Sequence, residues 1–157
     1  MSLLAVFQAI ENNAIGAAIR NSTWLFPVVE SVHLLGLALL GGAVLMVDMR
    51  LLGLGLRAQP ISQLSRDARP WLILGLLVSL PTGFLLFMSE AVKCYYHGAF
   101  WAKMIFLALA LLFTFTIKRR VALAEAPVGW VASRLIALVS ITLWTGVGLG
   151  GRWIGFS

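Results

Sequence analysis

Residues 31–47 read SVHLLGLALLGGAVLMV, a run with no formal charge that Asp48 and Arg50 close. A hydrocarbon core of about 30 Å takes roughly 20 apolar residues in helical form, so this run predicts a membrane span. Extended back to the helix-start cluster Asn21, Ser22 and Thr23, with Pro27 tolerated in the first turn, the span covers about 23–48. Three more blocks of the same kind follow, over about 71–90, 100–118 and 130–150. The 157 residues are 61% hydrophobic and 11% charged, whereas soluble domains are about half apolar and a quarter charged. The expected fold is therefore all-α: one membrane domain over 1–157, built as an integral membrane four-helix bundle. Its short connections suit antiparallel neighbours.

Residues 1–20 read differently. Leu3, Phe7, Ile10, Ala14 and Ala18 recur at helical spacing, while Gln8, Glu11, Asn12 and Asn13 fall elsewhere. That pattern predicts an amino-terminal amphipathic interfacial helix. The first cation, Arg20, follows acidic Glu11, unlike a basic secretory leader, so the segment is read as mature sequence.

Trp24, Trp71, Trp101 and Trp130 open the four blocks and Trp153 follows the last, as indoles do at headgroup depth. The loop after the first span carries Arg50, Arg57, Arg66 and Arg69, together with Pro70. Lys118, Arg119 and Arg120 close the third span, and Pro127 precedes the fourth. Pro81 and Gly83 are expected to kink the second span. The positive-inside rule then places both termini on the periplasmic side of a bacterial inner membrane. The net charge of +6 is thereby a topology signal, and nucleic acid is not an expected partner. The expected partners are the lipid bilayer and, for so small a bundle, further copies of the chain or other subunits of a complex.

Titratable groups inside a span cost a few kcal/mol each and ask for a role. Glu30 and His33 share one helix face, and Glu90 and His97 lie near the same end of the bundle. These are the chain's only histidines. Two imidazoles from different segments suit the axial ligation of haem b. In that reading His33 and His97 hold the iron and Gly36 lets the macrocycle approach. Arg20, Lys93, Lys103 and Arg152 offer charge to the propionates, and Glu30 and Glu90 serve as a proton relay. The same donors, with Cys94, suit copper or zinc instead. A cofactor-free structural subunit is the third reading. No CxxCH is present, so covalent haem attachment is not expected. The run TGVGLGG at 145–151 is read as small residues for close helix packing or cofactor approach, since no strand precedes it.

The string Glu30-Ser-Val-His33-Leu-Leu-Gly36, with Asp48-Met-Arg50 at the end of the same span, resembles small bacterial four-helix membrane proteins similar in layout to CopD-like proteins and the HemJ family. That resemblance implies a ligand role for His33. Two histidines instead of four limit the chain to one bis-histidine haem. The expected function is electron transfer between the quinone pool and a periplasmic redox protein.

Overall fold

A computed structural model describes residues 2–55, 58–124 and 128–156; Arg57 and Pro127 lie outside the described residues. The chain is all-α, with no strand among the described residues. Four helices are long and apolar enough to cross a membrane: Leu25–Leu52, Ile61–Ser89, Gly98–Ala122 and Trp130–Gly155. Leu35, Leu77, Leu112 and Leu149 are each more than 60% exposed on their outer faces. So much outward apolar surface fits a multi-pass membrane protein in contact with lipid.

The amino-terminal segment is two helices where the sequence predicted one. Helix α1 spans Leu3–Glu11 and α2 spans Ala14–Asn21. Asn13 starts α2 by accepting the Ile15 N–H at 3.0 Å, so the asparagine pair that looked like a polar face is a cap. Both helices pack on the bundle end. Phe7 is buried in an aromatic group with Phe87, Tyr95, Phe100 and Trp101. A Cβ on Gly16 would lie 2.5 Å from the Met88 carbonyl oxygen, which shows how closely α2 approaches the end of the second span.

Helix α3 runs Leu25–Leu52. Ser22 Oγ accepts the Trp24 and Leu25 N–H groups at its start, and Gly53 ends it at φ 80°, a left-handed conformation that glycine adopts without strain. Helix α4 runs Ile61–Ser89, beginning ten residues earlier than the sequence predicted. Arg66, Arg69 and Pro70 are helical because an internal proline removes only one backbone bond, and Pro60 marks the true start. The helix also continues unbroken through Pro81 and Gly83. After α5 (Ala91–Tyr96) comes α6 (Gly98–Phe113), which passes through a π-helical turn at Thr114–Lys118 into α7 (Arg119–Ala122). Helix α8 (Trp130–Phe156) completes the bundle.

Small residues set the spacing of the spans. Gly75, Ser79 and Gly83 fall four apart on α4, so they form one stripe. A Cβ on Gly75 would lie 2.7 Å from Leu40 N and 2.9 Å from Gly36 O; one on Gly36 would meet Val78 and Ser79 at 2.9–3.0 Å. The α3 and α4 backbones therefore touch. Between α6 and α8, Gly146 seats Phe106 and Gly150 seats Lys103 Cβ, while Gly148 has nothing within 4 Å of its absent Cβ.

Candidate functional site

His33 projects from α3 against this α4 stripe. Its Nδ1 lies 3.0 Å from Thr82 Oγ1, and Thr82 Oγ1 lies 2.6 Å from the Val78 carbonyl oxygen. A threonine hydroxyl has one proton, and the carbonyl can only accept, so that proton goes to Val78. Thr82 must then accept from His33 Nδ1–H, so in the neutral ring the lone pair is on Nε2. A hydrogen bond of this kind at one ring nitrogen orients the other for a ligand. Gly83 makes room for the ring: a Cβ there would lie 2.9 Å from His33 Cε1.

His33 lines two adjoining cavities of about 360 and 510 Å³ among the four spans. They share Leu37, Gly83, Phe87, Phe100, Lys103 and Val147. The smaller reaches the bundle end, where Glu30, Glu90, Cys94 and Arg152 join its wall. The larger is apolar and aromatic, with Phe84, Trp101 and Trp144. Leu80, Phe84, Trp101 and Met104 line it and are also 41–56% exposed outside, so it opens between α4 and α6 on the lipid-facing flank. Both volumes fall in the range of small-molecule sites.

The other expected site residues divide. Glu30, Glu90, Lys103 and Arg152 stand on cavity walls. His97 is on neither wall; it is the junction residue between α5 and α6. Gly36 does not face a cavity either, because its open side is filled by Val78 and Ser79 of α4. Arg20 pairs with Glu11 at 3.0 Å, and Lys93 with Glu90 at 3.7 Å. Glu11 Oε2 also accepts the Val92 N–H at 2.6 Å, tying α1 to α5. Cys94 is buried, and its thiol is pushed up to about 11, by burial first and by the Glu90 carboxylate second. Among the described residues no three His, Cys, Asp or Glu side chains converge as a metal-ion site.

A second polar centre, which sequence reasoning missed, lies at the arginine-rich end. Lys118 Nζ is 2.7 Å from Asp48 Oδ1 and donates to the Val44 carbonyl at 3.1 Å and to Ser140 Oγ at 3.2 Å. Ser140 Oγ donates to Asp48 Oδ2 at 2.8 Å. Asp48 and Ser140 are fully buried, and Lys118 is 4% exposed. The π-helical turn ends on Lys118, and such turns commonly re-aim a side chain in the middle of a helix. Asp48 and Lys118 each close a span in the sequence, where a charge ordinarily marks the interface. No spacing signal links residues that far apart in the chain.

A family profile described as a family of unknown function (DUF6644) matches residues 13–157, which takes in every element but α1. The chain belongs to this family. No curated protein and no solved structure matches it.

Proposed function

We propose that the protein is a b-type haem protein of a bacterial inner membrane that passes electrons between the quinone pool and a periplasmic redox protein. The observation that carries this reading is the His33 imidazole, held by Thr82 with Nε2 as its electron-pair donor, on the wall of a roomy apolar cavity. The donor set fits the group: a neutral imidazole for the iron, and Lys103 and Arg152 for two carboxylates. Aromatic side chains make up much of the remaining wall. The resemblance to CopD-like and HemJ proteins on the Glu30–Gly36 string points to the same role for His33. Because His97 lies off the cavity walls, the reading rests first on His33, and His97 as the second axial ligand is put to the test below.

When bound, the haem iron would supply one-electron exchange between its ferric and ferrous states. The protein's own part is to orient His33, to exclude water with Phe87 and Phe100, and to balance charge with Lys103 and Arg152. The opening between α4 and α6 suits a quinol arriving from the bilayer, and Glu30 and Glu90 stand where protons released on its oxidation would leave. Both termini on the periplasmic side and association into an oligomer or a larger complex belong to this reading.

The test is an oxidised and dithionite-reduced absorption spectrum with a pyridine haemochrome assay on detergent-purified protein. One haem b per chain is expected, lost in His33→Ala and kept in His97→Ala. Loss in both variants would restore the bis-histidine pair. A colourless wild-type protein would overturn the haem reading and leave metal analysis to decide between a copper or zinc site and a cofactor-free subunit.

A further inference from the structure

At the end of the bundle away from His33, a groove of about 90 Å³ runs between α4 and the α6–α7 segment, with α3 as its floor. Its inner part is apolar, formed by Ala43, Val47, Leu72 and Phe115, and its mouth carries Arg66, Arg69 and Arg119. All three arginines are exposed, and none is in an ion pair among the described residues. Lys118, beside them, has its charge answered inside the bundle by Asp48. The positive field at the mouth therefore comes from guanidinium groups alone. Planar guanidiniums bind phosphate oxygens in bidentate fashion.

We propose that this groove binds the phosphate headgroup of an anionic phospholipid, with the arginines on the phosphate and an acyl chain against Val47, Leu72 and Phe115. Charge complementarity names the headgroup class, and the apolar floor that continues from the mouth names a lipid over a free ion. Basic pockets between spans at the interface recognise anionic headgroups in this way. The proposal uses no part of the His33 cavities and stands whether or not haem is bound.

Native mass spectrometry of the full-length protein in detergent, titrated with phosphatidylglycerol, phosphatidylcholine or inorganic phosphate, tests it. The expected result is one tightly held phosphatidylglycerol per chain, weakened about tenfold or more in Arg69→Gln/Arg119→Gln, since each interfacial cation contributes roughly 1 kcal/mol. The control Arg120→Gln/Arg134→Gln removes the same charge from the same end outside the groove and should bind as wild type. Arg69→Lys/Arg119→Lys keeps the charge and should bind between wild type and the glutamine variant. Equal loss in the groove and control variants would overturn the site, as would phosphatidylcholine binding as tightly as phosphatidylglycerol. Displacement by inorganic phosphate at matching concentration would overturn the lipid as occupant.

Discussion

At the residue scale, the local environment decides what each titratable or nucleophilic group can do. His33 is held at Nδ1 by Thr82, whose only proton is already given to Val78. Cys94 is the opposite case, a thiol in a cavity wall that burial and the Glu90 carboxylate keep protonated against the pull of the Lys103 and Lys93 cations. Its folded value of about 11 lies above the ordinary thiol range, so the folded state holds the thiol proton more tightly than the unfolded chain does. The resulting stability is full below the ordinary thiol range and is lost as pH rises through about 11. At pH 8 iodoacetamide should therefore label Cys94 in the folded protein roughly a hundredfold more slowly than in the unfolded chain, followed by intact mass. Equal rates in the two states would mean that the thiol is neither buried nor perturbed.

At the scale of elements, the contact between α3 and α4 depends on the absence of side chains at a few positions. Gly75 faces backbone atoms of Leu40 and Gly36, which cannot swing aside as a flexible side chain could. Gly75→Ala should push the helices apart and cost about 1–3 kcal/mol, read as a lower midpoint of thermal unfolding by circular dichroism in detergent. Gly41, in the same α3 helix, has nothing within 4 Å of its absent Cβ. Gly41→Ala should then be neutral or stabilising by up to about 1 kcal/mol, because alanine is the better helix former. If the two substitutions behaved alike, the close-contact account of the interface would fail. Both glycines stand in apolar helical runs, and the sequence pattern does not separate them; only the partner helix does.

At the scale of the whole molecule, the two ends of the bundle carry different chemistry. One end holds the His33 cavities, and the other holds the Asp48–Lys118–Ser140 network that ties α3, the π-helical turn and α8 together. A buried ion pair adds little relative to a well-packed apolar replacement, but removing one partner leaves an uncompensated charge in a low-dielectric interior. Asp48→Asn should thus cost about 3–5 kcal/mol, and adding Lys118→Met should recover most of that loss, measured by unfolding in detergent. Additive losses in the double variant would show that the two residues act separately.

The sequence by itself determined the all-α membrane architecture, because uncharged runs of span length and the tryptophans at their ends answer to the bilayer, not to other parts of the chain. It also placed His33 within the first apolar run of span length. Helix limits were legible only in part: Pro70 looked like a loop residue, and the asparagine pair at 12–13 looked like a polar face, since local composition does not report whether a bond or a cap is made. Only the tertiary structure decided which residues meet. It turned Gly36 toward α4, left His97 off the cavity walls and joined Asp48 to Lys118. Such pairings depend on how four helices are rotated and spaced against one another, and that packing is a property of surfaces brought together from distant parts of the chain.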